Sequence, residues 1–208
     1  MKLLWHMFTD LFQEGGIALY PIFFVSVLGW YIGIRKYVYI KGMDRARRKF
    51  LEAARNNNFT GLQKTGNPIY DSLVREIRDV RRMSAGRARQ MYRAFLADII
   101  PEVDSGFSTM AACVSIAPLL GLFGTIRGMN KMFDVITEFG FGSPSLMAGA
   151  ISLALQSTLT GLTVAVAIMF LHNFLLDKKN GCVTRITGDE RLVALHMDEA
   201  DRRQDERI

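Results

Sequence analysis

Hydrophobic positions fall in three runs that charged side chains avoid: residues 15–34, 105–126 and 139–176 contain no Asp, Glu, Lys or Arg. A helix needs roughly 20 apolar residues to cross a bilayer, so the first two runs have spanning length and the third holds a helix plus a loop. Transmembrane helices are expected over 15–40, 105–127 and 146–176. Between and around them the pattern becomes amphipathic. Leu4, Phe8, Leu11 and Phe12, with Trp5 beside them, predict a short helix over 1–14 lying in the outer interface. Phe50, Leu51 and Ala54 share a helical face, and Asn56-Asn57-Asn58 and Gly66-Asn67-Pro68 then break the chain. From 69 to 100, Leu73, Ile77, Val80, Met91, Phe95 and Ile99 recur at helical intervals. Pro101 is expected to kink this second helix without ending it, so that it runs on into the second span. The 41–104 region is thus expected to be a helical stalk with no globular domain of its own. The fold class is an all-α integral membrane protein with three transmembrane helices, the long helices of spans two and three extending into the cytoplasm.

Composition hides this organisation. The 208 residues are 50% hydrophobic and 22% charged, with a net charge of +6, values typical of a soluble domain. Disorder, collagen and a disulfide scaffold are excluded. The distribution of charge supplies the topology. Residues 35–104 carry sixteen basic and eight acidic residues, and eight of the basic ones crowd into 35–55 beside the first span. Positive charge gathers on the cytoplasmic side, so the expected arrangement is N-terminus out and C-terminus in. The connection 128–145 then lies outside and the mixed-charge tail 177–208 inside. Trp30, Tyr31, Tyr37 and Tyr39 among Arg35, Lys36 and Lys41 form an interfacial belt. Because the first run is of full spanning length and is followed by Arg35 and Lys36, it is expected to be retained rather than cleaved as a signal peptide. A basic loop of this kind also resembles a phosphate footprint, but its place beside a span fits anionic phospholipid headgroups, and no nucleic-acid partner is expected.

The runs differ in texture. Span one is bulky, with Phe23 and Phe24, and is expected to face lipid. Spans two and three are rich in Gly, Ala, Ser and Thr, which permit close helix approach where lipid offers no hydrophobic driving force. Membrane paths for ions usually show an intramembrane ionisable residue, and the charge-free runs 105–126 and 139–176 that make up most of spans two and three have no Asp, Glu, Lys or Arg. They carry hydroxyls instead: Thr125 near the outer end of span two, and Ser157, Thr158 and Thr160 within span three. Any one of these could bond its own i−4 carbonyl, whereas several together suggest a polar seam for a partner's ionisable group or an ion. Cys113 and Cys182 have no Cys or His at metal-ligand spacing, and His172 stands alone near the inner end of span three as a solvated polar end. No catalytic constellation and no metal site are expected, so the chain is not read as an enzyme.

The string Pro118-Leu119-Leu120-Gly121-Leu122-Phe123-Gly124-Thr125-Ile126-Arg127-Gly128-Met129, with Phe133, the segment from Ala148 to Ser152, Thr158, Gly161-Leu162 and Asn173, resembles the MotA/TolQ/ExbB proton-channel family. The resemblance covers about 117–174, is closest to the three-span ExbB and TolQ branch, and continues more weakly at 15–22. It implies a subunit of an ion-driven motor in the bacterial inner membrane, forming a homopentamer around an ExbD- or TolR-like single-span partner whose intramembrane Asp carries the ion. By position, Thr125 and Thr158 match pore-facing threonines, with Ser157 and Thr160 beside them. Pro118, Gly121, Gly124, Gly128 and Gly161 match packing positions, and Gly149 is added to these from the small-residue pattern.

Two departures from the family stand out. Leu153 occupies a position where ExbB and TolQ typically carry Glu, which removes a second acidic site. Ser157 replaces an Ala common in proton-driven members and places two hydroxyls side by side. Oxygen ligands suit hard cations, so the translocated ion is H⁺ with Na⁺ as an alternative, and no other cofactor is expected. A structural membrane scaffold without ion conduction is the remaining alternative.

Overall fold

The computed structural model describes residues 19–55, 65–79, 85–142 and 144–205, with side chains described as far as Glu190. These form α1 (Leu19–Arg55), α2 (Pro68–Asp79), α3 (Ala85–Asp104), α4 (Phe107–Phe139), a 3-10 turn (Gly140–Gly142) and α5 (Pro144–Asp205), and no strand occurs among them. The interfacial helix expected over 1–14 lies outside the described residues. Two helical stretches, Gln90–Phe139 and Pro144–Glu190, are long and apolar enough to cross a membrane. Only 28% and 22% of their most apolar windows are buried, the reverse of a core helix in a soluble protein.

Chain contacts separate two compact units, one built from residues up to Ile34 with Gly106–Phe174, the other from Arg35–Ser105 with Leu175 onward. The divide at Ile34 and Arg35 is where the first charge-free run ends. In the first unit, residues 19–34 of α1, α4 and the first half of α5 pack through small residues. A side chain at Gly29 would meet Ile168, and one at Gly33 would meet Leu171 and Met110. Large apolar side chains point outward instead: Phe24 is 68% exposed and Phe170 70%. Such a surface suits lipid and would be a liability in water.

The second unit has a core of its own, which corrects the expectation of a stalk without one. Met43, Ala46 and Phe50 of α1, Tyr70, Leu73 and Val74 of α2, Tyr92, Phe95, Ile99 and Val103 of α3, and Leu175, Cys182 and Ile186 of α5 are all buried. Aromatic rings form its centre. Tyr70 and Phe95 meet edge to face at 4.8 Å, and Phe50 lies 5.8 Å from Tyr70 and 6.5 Å from Tyr92. Apolar faces that look solvated along each separate helix converge once four segments pack, because each can bury its stripe only against the others.

Local chemistry explains the boundaries. Asn67 caps α2, its Oδ1 accepting from the Ile69 N–H at 3.0 Å, while Pro68 occupies the first helical position. Asp71 reaches back and accepts from the Thr65 amide at 2.6 Å and the Thr65 hydroxyl at 2.7 Å. α3 passes through Pro101 and ends at Asp104, which corrects the expectation of one helix running on into the second span. The break lies at Ser105-Gly106, where Gly106 takes φ +81°, a left-handed conformation open cheaply only to glycine. The Lys36 ammonium donates to the terminal carbonyls of Glu102 at 3.0 Å and Val103 at 3.4 Å, placing a cation on the negative end of the helix dipole. At its far end α4 continues through most of the expected connection 128–145, up to Phe139. α5 runs 62 residues through the charged tail without a break.

Candidate functional site

Small residues on α4 and α5 meet to form the candidate site. Ala117, Gly121, Gly124 and Gly128 recur every three or four residues along α4 and are buried, as are Ala150, Ala154, Ser157, Gly161 and Ala165 along α5. The helices run antiparallel: Gly161 lies against Ala117 and Gly121, Gly121 against Ser157 and Thr158, and Gly128 against Ala154. A Cβ on Gly161 would stand 2.7 Å from the Ala117 carbonyl oxygen and 2.9 Å from the Gly121 Cα. Backbone therefore touches backbone, the arrangement that small residues permit in lipid. Gly149 is different. It is exposed, and a Cβ there would meet nothing within 4 Å, so no close approach within this chain depends on it.

Pro118 sits half-buried inside α4, one turn before Gly121. It lacks an N–H and so leaves one rung of the helix ladder unmade.

The four hydroxyls divide into two kinds. Thr160 bonds the carbonyl of Gln156 at 2.8 Å and Thr125 that of Leu122 at 2.6 Å, each within its own helix. Thr158 instead donates across the seam to the Gly121 carbonyl at 3.1 Å. Ser157, almost fully buried, lies 2.7 Å from the Ala154 carbonyl and 3.3 Å from that of Gly121. Back-bonding thus accounts for Thr125 and Thr160 and bridging for Thr158, while Ser157 does both, its shorter contact being within its own helix. The bridge has a chemical consequence: with its single proton committed to Gly121, the half-buried Thr158 oxygen keeps only acceptor capacity for anything else.

Leu153 is half-buried and brings no ionisable group. Gln156, half-buried one turn before Thr160, is a polar group within the span that the reading of hydroxyls passed over. Its signal was available in the sequence, since an amide in a charge-free run must find partners as a hydroxyl must. His172 is half-buried, its ring edge-on to Phe107 at 5.9 Å. Both cysteines are buried, and in the second unit burial and the Asp44 carboxylate push the Cys182 thiol up, away from reactivity. No cluster of metal ligands occurs among the described residues.

The second unit adds a buried ion pair that the mixed-charge tail gave no reason to expect. The Arg47 guanidinium grips Asp189 with Nε at 2.5 Å and Nη2 at 2.9 Å. This forked contact offsets the cost of burying the carboxylate, and its hydrogen bond is the main reason the guanidinium holds its proton more firmly than usual. Nearby, Arg93 pairs with Glu190 at 2.9 Å and Lys179 with Asp104 at 2.9 Å.

Comparison with known proteins places this geometry. An ExbB homolog of biopolymer transport from Methanothermobacter thermautotrophicus is 24% identical over 186 residues, covering 85% of this chain and 66% of that protein. The biopolymer transport protein ExbB of Neisseria gonorrhoeae is 36% identical over 83 residues, 40% of this chain and 38% of its own length. That of Aquifex aeolicus is 34% identical over 82 residues, 39% of this chain and 55% of its own length. The chain thus spans less than two thirds of these relatives. The profile of the MotA/TolQ/ExbB proton channel family matches residues 52–187, which include all of α4 and the seam with α5. With its exposed apolar helices of membrane length, its glycine seam and the hydroxyl that bridges it, the chain is a membrane protein of the MotA/TolQ/ExbB proton channel family, a family of transport subunits and not of enzymes.

Proposed function

We propose that this chain is the ring-forming subunit of an ion-driven motor in the bacterial inner membrane, crossing it three times with its N-terminus outside. In this reading several copies, five by family resemblance, surround an ExbD- or TolR-like single-span partner and couple the proton-motive force to mechanical work or transport at the outer membrane. The observation that carries the reading is the Thr158 hydroxyl bonded to the Gly121 carbonyl in spans that hold no carboxylate.

The chemistry follows from the committed proton. A neutral carboxylic acid from the partner can donate to the Thr158 oxygen while the Gly121 bond stays intact. An ionised carboxylate needs a donor, and Thr158 provides one only by giving up Gly121, at a net cost of about 1 kcal/mol. The seam therefore favours the protonated partner and releases the charged one toward water, a bias that would make ion binding and partner movement interdependent. Ser157 spends its hydrogen between two carbonyls of the protein, and the proton is taken as the ion by family resemblance, with Na⁺ as the alternative.

The test uses the complex with its single-span partner in proteoliposomes. Thr158→Ala is expected to abolish proton flux with assembly intact by size-exclusion chromatography, and Thr158→Ser to retain much of it. Full flux in the Thr125→Ala/Thr158→Ala double variant would leave a structural scaffold as the better account. A strict requirement for Na⁺ would replace the proton with sodium.

A further inference from the structure

Within the second unit, a cavity of about 450 Å³ opens between the start of the basic segment of α1 and the part of α5 that follows the third charge-free run. We propose that it binds the phosphate-bearing headgroup of an anionic phospholipid, a specific site and not only a diffuse attraction of basic residues to the membrane.

Charge is the first argument. Lys41, Arg45, Arg48, Lys178 and Arg185 line the cavity, and the single carboxylate among the lining residues is Asp44. Arg48 reaches Asp44 at 3.1 Å and Arg185 at 3.5 Å. Even with Lys178 set aside, one carboxylate cannot neutralise four cations. An anion entering the cavity gains their combined field, and guanidinium groups offer the planar forked donors that phosphate oxygens accept.

Position decides which anion. Tyr37, Lys41 and Lys178 follow the ends of the charge-free runs 15–34 and 139–176 by no more than two helical turns. At a rise of 1.5 Å per residue Tyr37 and Lys178 stand within about 5 Å of the apolar edge, in the headgroup layer, and Lys41 about 10 Å from it, within reach of that layer by its long side chain. Side chains on a helix lean toward its N-terminus, so Arg45 and Arg48 incline back toward that layer. Tyr37 lies at the rim, exposed, with the Lys41 ammonium 5.9 Å from its ring centre, an aromatic and cationic pair suited to an interface. The volume is that of a small-molecule pocket. A lipid phosphate arrives anchored at this depth, whereas free phosphate must be drawn from water already rich in counterions.

The inference rests on the membrane placement proposed above, with this end cytoplasmic, and is independent of ion conduction. The full-length chain in detergent micelles is titrated with short-chain phosphatidylglycerol, short-chain phosphatidylcholine and inorganic phosphate, and bound lipid is read by native mass spectrometry. Phosphatidylglycerol is expected to bind in preference to phosphatidylcholine, and millimolar phosphate to leave it in place. Lys41→Gln/Arg45→Gln is expected to weaken phosphatidylglycerol by about tenfold or more. Arg75→Gln/Arg87→Gln, which removes the same charge from exposed positions outside the cavity, should leave binding within about twofold. Arg45→Gln alone, at an exposed position, keeps the comparison available if the double variant misfolds.

Equal losses in the two double variants would overturn the site in favour of diffuse charge. Equal binding of the two lipids would overturn recognition of the headgroup's charge. Displacement by inorganic phosphate that depends on Lys41 and Arg45 would overturn the lipid and leave a soluble anion. No ion flux is read, so failure here and failure of the Thr158 test are distinguishable.

Discussion

Thr158 and Gly121 are joined across two antiparallel helices by a 3.1 Å hydrogen bond from hydroxyl to carbonyl, at a place where Gly121 has no side chain to hold the helices apart. The bond and the missing side chain depend on each other. A Cβ on Gly121 would sit 3.1 Å from both the Ser157 carbonyl oxygen and the Thr158 Cα, and neither is the free end of a flexible side chain.

Glycine substitutions should therefore separate by position. Gly121→Ala and Gly161→Ala are expected to destabilise the chain by about 1–3 kcal/mol, because backbone must move to admit the methyl group. Gly149→Ala, with open space around it, should be neutral or stabilise by up to about 1 kcal/mol through helix propensity. Thermal unfolding in one detergent compares the three.

Hydroxyl substitutions should separate by the direction of their bonds. Thr160→Ala removes a hydroxyl bonded within its own helix and is expected to leave proton flux within about twofold, since back-bonding contributes little to a helix. Thr158→Ala removes the bridge. Loss of flux in Thr160→Ala as severe as in Thr158→Ala would show that bridging is not what matters.

The Arg47 and Asp189 pair makes a prediction about stability alone. Their side chains are 17% and 4% exposed, so Asp189→Leu leaves a guanidinium largely out of water with no anion, at a cost of about 3–5 kcal/mol. Arg47→Met/Asp189→Leu removes both charges and should cost less than either single change. Thermal melts of the four proteins close the cycle.

Two buried tyrosines of the same core should respond in opposite ways to loss of the hydroxyl. Tyr92 donates to the Ile186 carbonyl at 2.8 Å, and Tyr92→Phe is expected to cost about 1 kcal/mol. The Tyr70 oxygen is buried with no hydrogen-bond partner among the described residues, so Tyr70→Phe should be neutral or stabilising. Burial pushes both phenols above their ordinary value of 10.0. The folded state thus holds these protons longer than the unfolded chain. Their contribution to stability is fully present below pH 10 and is lost as the pH rises through the folded values, which unfolding melts on the alkaline side would reveal.

How much of this was legible beforehand varies by residue. Gly121, Gly128 and Gly161 could be named from a motif, and their close contacts are in the seam. Gly149 belongs to the same small-residue pattern and faces open space, because a pattern of small residues does not say which of them has a neighbour. Tyr70 and Tyr92 gave no sign of being core, since a tyrosine in a basic, polar segment suits an interface equally well. Asp189 stood in a tail with nearly balanced charges and could not be told from its solvated neighbours.

The sequence by itself determined the helical class, the separation of apolar from charged segments and the family, because periodicity, charge and a twelve-residue motif are written along one dimension. Only the tertiary structure decided which hydroxyl bridges two helices, that the charged segments enclose a core, and where the second long helix stops. Those outcomes depend on which faces meet across more than thirty residues of intervening chain, and on whether Gly106 uses the left-handed conformation that its missing side chain permits. The role of the Thr158 hydroxyl is set by the carbonyl it can reach, and that carbonyl belongs to another helix.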